Sequence, residues 1–327
     1  MTINEIAKMA GVSNAAVSRY LNGGSLSQEK KERIRAIIEE TGYQPDTYAQ
    51  MLRTKKVRQI GVIVPKINTT AVAAVTAGIS NVLDKESYMC LLANTDGESK
   101  KEIQYLNLFG ANRVAGVILL ATTITPQHEA VLNSMNIPVV LVGQQHKRFP
   151  CVYHNDYEAP KELDELVLKR GRRHIAYIGV TERDVAVGKM RKKALVDACQ
   201  EYGISPEDIF FAEGDFARES GYKETQNLLN EHPEIDAVIC ATDTMAIGAI
   251  QAAKQAGKLV PEEISIVGVG DSWACKVVDP PLSTAHYYYK ESGEEAARMM
   301  LSILEGREKP PVRQTMLGYE LKIRGSI

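Results

Sequence analysis

An all-α head followed by an α/β body of two doubly wound, parallel-sheet lobes is the fold class this sequence predicts. Three observations predict it. Residues 2–42 read as short helices punctuated by glycine. From Ile60 onward, short β-branched apolar runs alternate with helical stretches, and that alternation runs through twice. Apolar strands without polar alternation are buried on both faces, which is the habit of parallel sheets. The 327 residues exceed one ordinary compact core and suit one small and one large domain. We divide the chain into a head at 1–44, a linker at 45–58 and a body at 59–327.

Composition narrows the class. Hydrophobic residues are 44% and charged residues 24%, the balance of a globular protein in water. No stretch reaches the roughly 18 uncharged apolar residues that span a bilayer. The opening MTINEIAKMAG carries charges where a signal peptide needs an apolar run, so the expected location is the cytoplasm. Five scattered cysteines lack CxxC spacing, and six histidines form no ligand pair. We therefore expect reduced buried thiols, no zinc and no cofactor. Residues 1–58 hold ten Lys/Arg against six acids, a charge of +4 that leaves −6 for the remainder of a chain at −2. A basic head on an acidic body favours a polyanionic partner for the head.

The head reads in order. Thr2 and Glu5 have capping-box spacing, and Ile3, Ile6, Ala7 and Ala10 share one face. Gly11-Val12 supplies a tight turn. Ser13 caps a second helix that runs to Leu21, and Asn22-Gly23-Gly24 stops it. Ser27 caps a third helix whose Ile34, Ile37 and Ile38 close over the first two, and Gly42 ends it. Two helices joined by such a turn form a helix-turn-helix, whose second helix enters the major groove of DNA. Its exposed positions are Asn14, Ala15, Ser18 and Arg19, with Val17 and Leu21 inward. Asn pairs with adenine, Arg with guanine, and Ala touches a thymine methyl. Ser13, Ser18 and Asn22 suit phosphate oxygens. Spacing alone leaves open a plain three-helix domain with a solvated polar face.

INEIAKMAGVSNAAVSRYLNG resembles the recognition motif of the LacI/GalR family of bacterial repressors: an (I/V)AxxAGVS stretch, then TVSR, then an Asn-containing turn. Ala16-Val17-Ser18-Arg19 stands where TVSR usually stands, so Ala16 departs from Thr. GYQPDTYAQMLRTKK also matches the family, and the resemblance covers essentially the whole chain. It implies a homodimer that binds a near-palindromic double-stranded operator, one head per half-site. Thr47 to Arg53 would make less than two helical turns, too short to be stable alone. The resemblance implies that two such segments pair across the dimer in the minor groove, with Ala49 and Leu52 at the matching positions and the leucine as a wedge. Without the resemblance, the segment reads as a basic linker.

In the body, strands are expected at Gln59 to Val64, Met89 to Ala93, Gly116 to Leu120 and Val139 to Val142. A second set is expected at His174 to Ile178, Ile209 to Ala212, Ala237 to Cys240 and Ile264 to Val269. Helices fall between most of them, from Val72 to Lys85 through to Lys290 to Gly306. Ligands of such folds bind beyond the carboxyl ends of the strands, and two facing lobes make a cleft there. Polar residues follow several strands: Lys66, Gln144 and Gln145, Asp215-Phe216, Thr242-Asp243, and Gly270-Asp271-Ser272-Trp273.

CATDTMAIGAI and ISIVGVGD resemble signatures of the family's sensor domain, a type I periplasmic-binding-protein-like fold. That resemblance implies a sugar effector, bound by Arg191 at its hydroxyls, by Phe216 on its apolar face and by Thr242 and Asp243 at a strand end. Gly270 and Gly143 stand where Asp is usual, which leaves Asp271, Trp273 and Gln144 as the neighbouring candidates. Lys66 suits a phosphorylated sugar, and the residues around it resemble the sucrose and trehalose branch. Each has a plainer reading: a solvated lysine for Lys66, a helix cap for Asp243, lobe packing for Phe216.

Enzyme motifs fail. Arg183 stands where a P-loop ending at Gly188-Lys189 needs glycine, and Met190 where it needs Ser or Thr. Gly268-Val269-Gly270 lacks the third glycine of a dinucleotide fingerprint, since Trp273 is there. No GxSxG occurs. The expectation is therefore a non-enzymatic repressor of a carbohydrate operon on nucleoid DNA, controlled by a sugar or sugar phosphate. The alternatives are a corepressor-dependent regulator, answering to a purine-like ligand or a phosphocarrier protein, and a sugar-binding module without regulatory role. Pro310-Pro311 and the missing heptads exclude a tetramerising coiled coil, so dimerisation is expected through the body.

Overall fold

The computed structural model describes residues 1–21, 23–43, 57–111, 114–307 and 312–327. They fall into two compact units, Met1–Arg58 and Gln59–Ile327.

The first unit packs three helices, α1 (Ile3–Met9), α2 (Asn14–Leu21) and α3 (Gln28–Thr41), around Ile6, Ala7, Ala10, Val17 and Ile34. The capping box forms: Thr2 Oγ1 accepts from Glu5 N–H, and Glu5 Oε2 accepts from Thr2 N–H at 2.7 Å. Gly11, at φ +62°, turns the chain into α2, and Val12 N–H closes the turn on Ala7 O at 3.0 Å. Ser27 holds the N-cap position of α3, but its side chain makes no capping bond. Gly42, in the left-handed region, ends α3.

The second unit has two six-stranded sheets. The first orders β11 (Gln314–Leu317), β5 (Cys151–His154), β4 (Val139–Val142), β3 (Gly116–Leu120), β1 (Gln59–Val64) and β2 (Met89–Asn94), every neighbouring pair parallel. The second orders β12 (Tyr319–Lys322), β10 (Ser283–Tyr287), β9 (Ser265–Gly270), β8 (Ala237–Cys240), β6 (Ile175–Gly179) and β7 (Phe210–Glu213). Here β12 runs antiparallel to β10 and the rest are parallel. The chain passes between the lobes three times: after β5, after β10 and between β11 and β12.

Double winding follows from the period of two. In β3 and β4, Ile118, Leu120, Val140 and Val142 face one apolar layer, with α4 (Thr70–Lys85) and α11 (Tyr289–Leu304). Val117, Leu119, Val139 and Leu141 face the other, with α5 (Ser99–Ala111) and α6 (Pro126–Ser134). Strands apolar on both faces carry no alternation, as expected for covered parallel strands.

Each lobe also has a glycine-to-backbone helix crossing. A Cβ on Gly78 of α4 would lie 2.0 Å from Lys290 O of α11, and one on Gly293 would lie 2.0 Å from Val75 O. In the second lobe, Gly221 of α9 (Arg218–Glu231) and Gly248 of α10 (Asp243–Gln255) meet Met245 O and Arg218 O at 2.1 Å in the same sense. Only glycine permits backbones this close. The remaining helices, α7 (Glu158–Lys169) and α8 (Arg191–Glu201), cover the second sheet, and α8 continues a π-helical turn, Val185–Met190.

Candidate functional site

On the head, α2 presents Asn14, Ala15 and Arg19 to solvent, while Ala16 and Val17 are buried against the other helices. The i, i+3, i+4 geometry puts 15, 18 and 19 on one face, with Ser18 half-buried. Ser13 Oγ accepts Ala16 N–H at 3.3 Å and so caps α2. Asn14 donates to Asn4 Oδ1 at 2.5 Å, which ties the start of α2 to α1. The burial of Ala16 accounts for a small residue there. Asn22, Ala49 and Leu52 lie outside the described residues.

In the body, the carboxyl ends of both sheets carry a connected polar set. Gln144 follows β4 and is buried. Its Nε2 donates to Thr122 O of its own lobe at 2.9 Å and to Asp184 Oδ1 of the other lobe at 2.8 Å. Its Oε1 accepts from Ala186 N–H at 3.3 Å, so one amide stitches the two lobes. Asp184 caps the π-helical turn by accepting Val187 N–H at 3.0 Å. Burial pushes its carboxyl above the ordinary range, opposed by the bonds from Val187 and Gln144.

Arg191 opens α8 and is only 4% exposed. Its Nε and Nη2 both donate to Asp156 Oδ1, at 2.8 and 2.6 Å, and Nη1 donates to Ala241 O beside Thr242. Its guanidinium lies 5.3 Å from the Tyr287 ring centroid. Asp156 sits on the passage after β5, next to His154, whose ring stacks on Tyr287 at 4.7 Å and 3°. Burial drives the His154 imidazole down to about 4, so it is neutral at pH 7. Tyr287 donates to Asn155 O at 3.1 Å, joining two of the three passages.

Thr242 caps α10 through Met245 N–H at 3.5 Å. Asp243 is buried inside the second lobe, where Oδ1 accepts from Thr284 at 2.5 Å and Oδ2 from Ser272 N–H at 2.8 Å. Asp271, at φ +56°, is held by Arg324 and by His286 Nδ1 at 3.0 Å, and its N–H donates to the same Thr284 hydroxyl. Phe216, at φ +71°, is half-buried against the second lobe's core. Lys66 is half-buried after β1, and its charge holds Asp215 of the opposite lobe down, a lesser cause than the bond from Ser220. Trp273 is 70% exposed at the start of a 3-10 turn. The structure thus places Gln144, Arg191 and Asp243 in buried polar contacts, Thr242 half-buried at the start of α10, and Trp273 in solvent.

Asp156, Asp184, His154 and Tyr287 were not singled out in the sequence. The available signal for Asp156 was the strand before it, CVYH, which was not read as one. A small cavity under the second sheet, lined by Asp164, Tyr177, Arg191 and Cys240 among others, was equally hidden. Asp164 Oδ2 and Tyr177 OH are buried there without a hydrogen-bond partner. Among the described residues, no helix is long and apolar enough to cross a membrane, and no cluster of His, Cys, Asp and Glu is grouped to hold a metal ion.

Residues 2–46 match the lacI family of bacterial regulatory proteins, and residues 165–327 match the periplasmic binding protein-like domain. The chain is 36% identical to the sucrose operon repressor of Staphylococcus xylosus over 294 residues, 90% of this chain and 91% of that one. It is 30% identical to the HTH-type transcriptional repressor PurR of Pectobacterium carotovorum subsp. carotovorum (strain PC1) over 314 residues, 94% and 92% of the two. Among solved structures, the lac repressor dimer bound to operator and the anti-inducer ONPF superposes with a TM-score of 0.91 at 24% identity, covering 100% of this chain and 98% of that one. That likeness establishes the fold.

Proposed function

Because the chain belongs to the lacI family of bacterial regulatory proteins, we propose that it represses a carbohydrate-utilisation operon as a homodimer. A sugar seated between the lobes sets its operator affinity. In this reading it acts in the cytoplasm on nucleoid DNA and performs no reaction on its effector. Residues 1–44 read the operator, 45–58 form the hinge and 59–327 sense and dimerise.

On α2, Asn14, Ala15 and Arg19 read base edges in the major groove, while Ser13, Ser18 and Asn22 contact phosphates. Ala49 and Leu52 enter the minor groove. In the body, Arg191, Gln144 and the strand-end residues Lys66, Phe216, Thr242, Asp243, Asp271 and Trp273 frame the effector.

The observation that carries this reading is the amide of Gln144, which bonds Thr122 in one lobe and Asp184 and Ala186 in the other. A polyol inserted there exchanges its hydroxyls for those bonds and resets how the lobes meet. Coupling to the head then follows as a free-energy linkage, equal in both directions. A second reading is a corepressor-dependent regulator, in which the ligand strengthens operator binding.

Fluorescence anisotropy with labelled operator DNA tests both. Sucrose and other sugars should change operator affinity, downward for an inducer and upward for a corepressor. Operator affinity untouched by sugars but altered by a purine base would reject the sugar reading. Operator affinity should also fall steeply with salt, as for any protein that displaces counterions from phosphates.

A further inference from the structure

From the cavity under the second sheet, we infer that Asp164 and Tyr177 hold one internal water, and that this water positions the Arg191 guanidinium. The positioning rests on the proposed role of Arg191 at the effector; the water site does not.

The cavity lies between α7 and the strands β6, β8 and β9. It leaves about 10 Å³ for the centre of a water-sized sphere, which is room for about one water molecule. Leu163, Ile239 and Val267 give it apolar walls, and Asp164, Tyr177 and Arg191 give it polar ones. The three polar residues are 1%, 2% and 4% exposed. Among the described residues, Asp164 Oδ2 and Tyr177 OH have no hydrogen-bond partner. A buried polar atom left in that condition bears its whole desolvation penalty.

Neither group reaches solvent. Asp164 stands on the buried face of α7, one turn from Pro160 and one from Leu168. The Tyr177 ring lies on Gly179, where a Cβ would come within 2.6 Å of its Cε1, and meets Phe211 of β7 edge-on with centroids 6.2 Å apart. The ring is thus pinned, and its hydroxyl stays in the interior.

Water suits this pair and a metal ion does not. Burial favours the protonated Asp164 carboxyl, which both donates and accepts, as a phenol does. A water also donates and accepts, so it bridges the two in either sense. A calcium ion takes about six to eight oxygen ligands. Here two unpartnered oxygens are on offer, and Arg191 puts positive charge in the wall.

Arg191 joins the site from its third side. Its Nε and Nη2 donate to Asp156 and its Nη1 to Ala241 O. A guanidinium carries a second N–H on each Nη, so a donor remains for a water in the cavity. That water braces the guanidinium behind the Asp156 pair. Asp164 and Tyr177 are then positioning residues that act through it.

A crystal structure of the full-length protein with ordered solvent tests the site. One water is expected within about 3.2 Å of Asp164 Oδ2, of Tyr177 OH and of an Arg191 Nη. A dry cavity, a direct Asp164–Tyr177 bond or density coordinated as a metal ion overturns the inference. Asp164→Leu keeps the branched shape and removes the polar partner, and apolar cavities stay dry. Tyr177→Phe should therefore lower the unfolding constant's margin in wild type and do little beside Asp164→Leu, a coupling of about fivefold or more in denaturant unfolding. Additive effects overturn the inference. Calorimetry with sucrose, trehalose, glucose and fructose reads the positioning. The sugar that wild type binds should bind about fivefold or more weakly to Asp164→Leu, and within about twofold of wild type to Asp164→Asn, whose amide still bridges a water. Undiminished affinity in Asp164→Leu overturns the positioning. A wild type that binds none of these sugars rejects the sugar reading and the positioning with it, while the crystal structure and the unfolding cycle still decide the water.

Discussion

Arg191 and Asp156 meet at 2.6 Å in a contact where both side chains are at least nine-tenths buried. Asp156 arrives on the passage from the first lobe and Arg191 opens a helix of the second. The pair therefore belongs to the joint between the lobes.

Arg191→Ala should abolish the sugar response while operator affinity in the absence of sugar is retained. It should also cost about 3–5 kcal/mol of stability, because Asp156 is left buried and unpaired. Arg191→Ala with Asp156→Ala should recover part of that loss. Denaturant unfolding of the single and double variants measures it, and equal losses in both would show that the pair is not coupled.

Gly78→Ala should destabilise the body by at least about 1–3 kcal/mol, since the new methyl meets backbone oxygen and no side chain can move aside. Gly318→Ala, where nothing lies within 4 Å, is the control and should be near neutral. A thermal melt that ranks them the other way would contradict the close crossing of α4 and α11.

Asp164 and His154 should give stability opposite pH dependences. Burial, then the charge of Glu165, raises the Asp164 carboxyl well above its usual range. Its contribution is full below the unfolded carboxyl pKa and is lost as pH rises toward the raised folded value. The slope is about 1.4 kcal/mol per pH unit above roughly pH 4. His154 is lowered to about 4, so it costs nothing above its unfolded value and loses stability as pH falls from roughly 6.5 toward 4. The two slopes have opposite signs and oppose each other in the acid range. Asp164→Asn should therefore expose the acid lability of His154, and His154→Phe should expose the alkaline loss from Asp164. Unfolding midpoints from pH 4.5 to 8 separate them, and parallel curves for wild type and both variants would refute the assignment.

Arg19→Ala should weaken specific operator binding by roughly 1–3 kcal/mol, about ten- to a hundredfold, and relax the base preference at one position per half-site. Non-specific DNA should lose much less. A uniform loss on both, seen in competition gel shifts, would make Arg19 a phosphate contact.

Local pattern made the head and most of the parallel strands legible. QIGVIV, GVILL and VVLV each declare a strand buried on two faces, and Thr2 with Glu5 declares a helix start. The strands that escaped are CVYH, STAHY, QTML and YELK, which carry histidines or alternate at an edge. The helix Pro126–Ser134 escaped because its capping box uses His128 where Glu or Gln is usual. Gln144 and Arg191 were visible as strand-end and helix-start residues. Their partners were not, because Gln144 to Asp184 spans 40 residues and Asp156 to Arg191 spans 35. Asp243 has the same history: a cap position announced it, and Thr284, 41 residues away, decides what its carboxylate does.

The threefold passage of the chain between lobes has an outcome for how the body is made. The first lobe is not a contiguous stretch, since α11 and β11 join it only after all of the second lobe but its edge strand β12 has been traversed. Met299 and Met300 fill the layer beneath Val140 and Val142. On the ribosome, that face stays uncovered until residues 289–317 have emerged, and a chain that stops before Tyr289 leaves both halves unfinished.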